Sequence, residues 1–246
     1  MKAYLAVVAA VACTHPSVPA PSPPVSDADF GYVIDEAAIE ALVDRVSREH
    51  AAGPPLAFEH VAVVSLAHPG VDLDQTIVVR DGKIFAVGPA AGVAVPADAT
   101  VIAGAGRYVM PGLTDMHVHT ELSTSNYLLD LANGVTSVRE MNGSPWLLRM
   151  RERERANQAL IPNLYVAGPI LAAMPFGDSI TVVTTPEAAR AEVRKQRAAG
   201  YELIKVHNVV PPAIYAAICD EARAQHLDVV GHIPHDTTIA TAIACG

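Results

Sequence analysis

His117 and His119 are the residues of this chain whose type and spacing most directly suggest chemistry. They close the run Met110-Pro-Gly-Leu-Thr-Asp-Met-His-Val-His119, which reads as a β-strand. Residues two apart on a strand face the same side, so the two imidazoles can share one cation. Imidazole suits zinc and several neighbouring divalent metals. Asp115 faces that side too and is a candidate supporting partner. Two later strand-like segments end in residues of similar type. Tyr201-Glu-Leu-Ile-Lys-Val-His207 carries Lys205 and His207, and Leu227-Asp-Val-Val-Gly-His-Ile-Pro234 carries His232, with His235 directly after it. Lys205 stands among Leu203, Ile204 and Val206, and an inward amine there is costly as a cation. Burial lowers a lysine pKa and frees the neutral base. A neutral amine can take up CO2 as a carbamate, an anionic group whose two oxygens can bridge two metals. Two metals roughly 3.5–4 Å apart can share and activate one hydroxide.

The elements that must position these residues follow from periodicity and punctuation. Residues 35–49 carry Ile39, Leu42, Val43 and Val46 at helical spacing. Between Phe58 and Met110 the period shortens. His60–Leu66, Thr76–Arg80 and Lys83–Gly88 read as strands, with Asp81-Gly82 as a hairpin turn. Val101-Ile102 and Tyr108-Val109 flank a Gly104-Ala-Gly106 turn that reads as a further hairpin. This stretch predicts a small β-sandwich. From Pro111 strands and helices alternate. Strands are expected at 113–119, 135–141, 163–171, 201–207 and 227–234. Helices are expected at 125–133, from Ser144-Pro145 to about 159, from Thr185-Pro186 to Gly200, over 212–225 and from about Thr237. Residues 172–183 read as a long loop reaching over the strand ends. Such alternation implies parallel strands with right-handed crossovers. In a barrel, strand ends converge on one face, where active sites lie. The expected organisation is a leader and tether (1–30), a helix (31–56), a sandwich portion (57–110) and a barrel (111–246).

Composition excludes some classes. Net charge is −9 and aromatics are 5% of 246 residues, which argues against a nucleic-acid partner and leaves a small molecule as the expected ligand. No glycine-rich phosphate loop follows a strand. Residues 1–12 form a short apolar run behind Lys2, too short to span a bilayer and matching the hydrophobic region of a secretory signal. Small residues lead into Cys13, an arrangement similar to a bacterial lipoprotein signal, so Cys13 is a candidate lipidation site. The Pro- and Ser-rich segment 14–29 reads as a tether. The chain is therefore expected to be exported, periplasmic or anchored to a membrane through Cys13. Cys219 and Cys245 sit in apolar, helical surroundings and read as buried free thiols.

The run from Met110 to His119 resembles the first barrel strand of the amidohydrolase superfamily. Asn133–Arg139, Leu164–Ile170 and the Lys205 strand are similar to its imidazolonepropionase-like and Xaa-Pro dipeptidase-like branch. The resemblance covers the chain from about Phe58 onward. It implies an α/β fold in which a small β-sandwich precedes a (β/α)8 barrel of the triose-phosphate-isomerase type, present through about strand five. It implies His117, His119 and Lys205, the last as a carboxylated lysine, as metal ligands around one or two divalent ions, zinc by default. Val230-Gly-His-Ile-Pro234 resembles the strand presenting the family's fifth-strand ligand, which makes His232 the fourth. His207 and His235 have no counterpart as ligands and are expected on the substrate side. The implied activity is hydrolysis of amide, cyclic amide or dipeptide C–N bonds by metal-activated hydroxide.

The pattern departs from the family in one respect. The family's sixth-strand histidine and eighth-strand aspartate have no counterpart in these 246 residues. The expectation is an N-terminal portion of a longer enzyme. Two other readings stand beside it: a single-metal, deaminase-type amidohydrolase that needs no lysine, and a non-catalytic truncated lipoprotein or binding domain.

Overall fold

A computed structural model describes residues 36–50, 53–120, 125–175 and 180–246. The leader, Cys13 and the tether lie outside the described residues. The chain divides into two compact units, Met1–Leu113 with Leu129–Thr136, and Thr114–Leu128 with Ser137–Gly246.

In the first unit, α1 (Glu36–His50) turns Val43 fully inward. It is followed by β1 (Leu56–Val64), β2 (Val71–Arg80), β3 (Lys83–Pro89), β4 (Thr100–Ala103) and β5 (Tyr108–Val109). The first three pair antiparallel. Asp81 and Gly82 both have positive φ, 52° and 67°, as a two-residue turn matching strand twist requires. β4 and β5 do not form the expected hairpin with each other. Both run parallel to β1, β4 beside Leu56–Glu59 and β5 beside Ala62–Val63. The sandwich portion among the described residues is thus one mixed five-stranded sheet, with Phe58, Val61, Ile77 and Val109 as its core.

From Leu113 the chain alternates: β6 (Leu113–Val118), α2 (Ser125–Ala132), β7 (Val135–Glu140), α3 (Pro145–Arg155), β8 (Asn163–Val166), β9 (Ile170–Ala172), β10 (Ile180–Val182), α4 (Pro186–Ala199), β11 (Leu203–Val206), α5 (Pro212–Ala224), β12 (Asp228–Gly231) and α6 (Ile239–Cys245). Two sheets run in the order β6-β7-β8 and β10-β9-β11-β12, and a parallel bridge between Ala167 and Leu203 joins them. The strands pair in parallel within the second sheet, and β7 pairs in parallel with β8. This is an unclosed part of a (β/α)8 barrel. Helix starts are set by short side chains. Ser144, Thr185 and Thr238 accept the backbone N–H of Leu147, Ala188 and Thr241, and Pro145 and Pro186 occupy first-turn positions that need no donor. Leu171, Val193, Ile204, Val206, Ile214, Ile218 and Val229 form the core between strands and helices.

The structure departs from two expectations about the strands. The third strand breaks at Gly168-Pro169 into β8 and β9, because proline offers no ladder donor. The segment expected to be a loop contains β10, whose Ile180, Thr181 and Val182 pair with the edge of β9.

The cysteines are a further correction. Cys219 of α5 and Cys245 of α6 form a disulfide, not free thiols. They lie 26 residues apart in sequence, and helical packing brings their Cα atoms to 5.1 Å. Closing a loop of that length removes conformational freedom from the unfolded chain. Reduction, or replacement of both cysteines by serine, is expected to lower unfolding free energy by about 3–4 kcal/mol, read from denaturant midpoints.

Candidate metal centre

β6 delivers His117 and His119 to one side, as period-two alternation requires. Their Nε2 atoms are 3.2 Å apart and their rings 5.1 Å apart. Asp115, on the same side, accepts the backbone N–H of His117 at 2.9 Å and braces the strand. Lys205 approaches from β11. Its side chain is fully buried, and its Nζ reaches 3.1 Å from His117 Nε2 across 88 residues of sequence. β12 pairs with β11 in the register Lys205–Val230 and Val206–Gly231, which places His232 just beyond the strand end. His232 donates its backbone N–H to Val206 O at 3.1 Å, and its ring centre lies 6.5 Å from that of His117. His117, His119 and His232 remain exposed, so the cluster is open to a solute.

No protein-family model matches the chain. A dihydroorotase of Anaeromyxobacter dehalogenans (strain 2CP-C) is 42% identical over 65 residues, 26% of this chain and 14% of that protein. A dihydroorotase of Trichlorobacter lovleyi is 38% identical over 65 residues, 15% of its length. Among solved structures, a proposed prolidase from Bifidobacterium longum superposes with a TM-score of 0.67 at 27% identity, over 78% of this chain and 52% of that one. Bottromycin amidohydrolase superposes with a TM-score of 0.67 at 25% identity, over 88% of this chain and 45% of that one. In sequence and in fold the chain resembles the amidohydrolase superfamily. It spans about half the length of these two solved amidohydrolase-like structures.

Electrostatics in the cluster favour neutral nitrogen. Burial, then the Lys205 charge, lowers the pKa of both His117 and His119, and each also feels His232. Burial, then the charge of Arg139, lowers Lys205 to about 8. Deprotonated imidazole and amine are the forms that bind cations. The donor spacing is compatible with a cation as well. Two nitrogens about 2.0–2.1 Å from a tetrahedral zinc lie roughly 3.3 Å apart, close to the His117–His119 separation. Among the described residues, no three His, Cys, Asp or Glu side chains gather closely enough to hold a metal. The group that joins the histidine pair is Lys205, which becomes anionic only as a carbamate.

The two substrate-side candidates separate. The His207 ring packs 4.5 Å from that of His232, and burial followed by His232 and Lys205 lowers its pKa. His235 is exposed and is held by its backbone N–H to Asn208 O at 3.0 Å. It reaches His207 through its charge.

Sequence reasoning missed three contributors. Glu140 is a fully buried carboxylate at the end of β7, bonded to the residue after His119. Arg139 donates from Nε to Met116 O at 2.8 Å and sets part of the potential at Lys205 and His117. Gly231 has φ +120° and makes room for the Lys205 stem. The Val-Arg-Glu ending of β7 was a usable signal, because a strand end in a barrel faces the site.

Proposed function

We propose that this chain carries the centre of an exported, metal-dependent hydrolase acting on C–N bonds of small amides. The observation carrying this reading is the approach of Lys205 Nζ to His117 Nε2. An amine sealed in a core 88 residues away converges on the histidine pair, where an unassisted cation would be expensive. A divalent cation held there, zinc in the first instance, supplies Lewis acidity toward a carbonyl and toward water. His117 and His119 act as neutral donors, and His232 faces them from the neighbouring strand end. The Lys205 amine would attack CO2 through its nitrogen lone pair and release one proton to solvent, giving an anionic carbamate that could serve as a ligand beside His117 and His119. His207, packed at a tilt against the His232 ring, orients the substrate. The prolidase-like and dihydroorotase relatives support dipeptides and cyclic amides as the substrate class.

The disulfide supports the export part of this reading, since such bonds persist in oxidising compartments. No helix among the described residues is long and apolar enough to cross a membrane. Lipidation at Cys13 is the proposed anchor. Intact mass of the mature protein tests it: an acylated Cys13 at the N-terminus is expected, and an unprocessed Met1 counts against export.

The activity is tested on the full chain with Xaa-Pro dipeptides and dihydroorotate. One or two zinc equivalents per chain are expected, together with hydrolysis that disappears on chelation and returns on adding zinc. Metal-free protein with undiminished turnover rejects the metal-dependent reading.

A further inference from the structure

The end of β7 holds the histidine strand at three consecutive residues. Arg139 Nε donates to Met116 O at 2.8 Å, and Met141 N donates to Val118 O at 2.9 Å. Between them, Glu140 Oε2 accepts the backbone N–H of Thr120 at 3.0 Å. The anchored residues 116, 118 and 120 alternate with His117 and His119. Two of these contacts end on backbone carbonyls of β6, one from the Arg139 side chain and one, from Met141 N, of the backbone kind a sheet makes. The third replaces a ladder bond with a carboxylate at the point where β6 ends.

That carboxylate is built into a buried network through its Oε2. Glu140 and Tyr127 are fully buried, and Thr120 is 5% exposed. Glu140 Oε2 also accepts the Thr120 hydroxyl and, at 3.3 Å, the Tyr127 hydroxyl, while the two hydroxyls contact each other. A buried acidic side chain is costly unless its hydrogen bonds are satisfied, and an apolar residue would fill the same volume at lower cost. Buried hydrogen bonds of this kind hold in place what they touch. What this network touches is the backbone directly after His119.

We propose that Glu140 is a positioning residue for the metal centre, fixing the end of β6 so that the imidazoles of His117 and His119 converge before a cation arrives. The proposal rests on the reading of those histidines as metal ligands. Thr120 and Tyr127 are its partners in the network. The carboxylate acts through the strand and does not touch the cation.

The test uses the full chain, zinc affinity by competition titration, the visible absorption of the cobalt-substituted protein, and thermal unfolding of the metal-free form. Glu140→Met keeps volume and removes every acceptor. It is expected to weaken zinc binding about 10–100-fold, the range typical of groups that orient metal ligands, and to shift the cobalt bands. Glu140→Gln keeps an oxygen for the Thr120 N–H and is expected to recover most of the affinity. Thr120→Val keeps the N–H and loses the hydroxyl, and an intermediate loss is expected. Should Glu140→Met fail to fold, Thr120→Val carries the test. Wild-type zinc affinity and cobalt bands in the folded variants, with only a lowered unfolding midpoint, would reduce Glu140 to a structural role. Absence of metal binding by the wild-type chain would reject the ligand assignment and this proposal with it.

Discussion

Lys205→Met is expected to lose metal affinity by on the order of 100-fold or more, and hydrolysis with it, while the metal-free protein becomes more stable at neutral pH. Two separate effects are at work. The first is loss of the group that joins His117 and His119, since no acidic side chain completes the set among the described residues. The second concerns burial. Lys205 is fully enclosed, and its pKa falls from 10.5 to about 8. Below pH 8 it is protonated in both folded and unfolded chains, and the folded state carries the whole cost of the buried charge. Between pH 8 and 10.5 the unfolded chain holds the extra proton, so stability rises with pH. Above 10.5 both states are neutral and the cost is gone. The full difference is roughly 3 kcal/mol. In chelator and CO2-free buffer, wild-type stability should therefore climb between pH 8 and 10.5, and the methionine variant should show no such climb. Equal slopes would mean that Lys205 is not buried as a titrating amine. Restoring bicarbonate and zinc should stabilise the wild type alone, because the carbamate needs the amine. A variant that keeps full metal content would instead favour the single-metal reading.

Gly231→Ala is expected to damage the site almost as severely from a position that bears no reactive group. A Cβ there would lie 2.3 Å from Val206 O and 2.8 and 2.9 Å from Lys205 Cδ and Cε. The backbone at φ +120° also lies where L side chains are strained. Both the β11–β12 register and the path of the Lys205 stem must give way. His232, the next residue, hangs from the same Val206 carbonyl and moves with it. We expect a destabilisation of about 2–4 kcal/mol and loss of most bound zinc. Combining Gly231→Ala with Lys205→Ala should cost less than the sum, since the clash with Cδ and Cε disappears while the one with Val206 O stays. Strict additivity would show that Lys205 and Gly231 do not meet.

Much of the second unit was legible because its signals are local. Ser144-Pro145, Thr185-Pro186 and Gly200 punctuate helices where the sequence places them. What failed was the assignment of pairing partners. The Gly104–Gly106 turn has the composition of a hairpin, yet the segments on either side of it both join β1. Nothing within a short window reveals which distant strand offers the free edge. β10 was missed for the same reason, since a three-residue strand exists only by virtue of the edge of β9. Cys219 and Cys245 were legible as buried residues, but whether two buried thiols touch depends on how α5 and α6 pack.

The kinds of donor available and the face each takes follow from the amino-acid order alone, because strand alternation and helix capping act over a few residues. That order therefore carried His117, His119, Lys205 and His232 as candidates. That Lys205 meets His117, that His207 packs against His232 and that Glu140 grips the end of the histidine strand emerges only from long-range packing. These contacts join residues from separate strands, and the parallel register that aligns those strands is set by packing of the whole barrel wall.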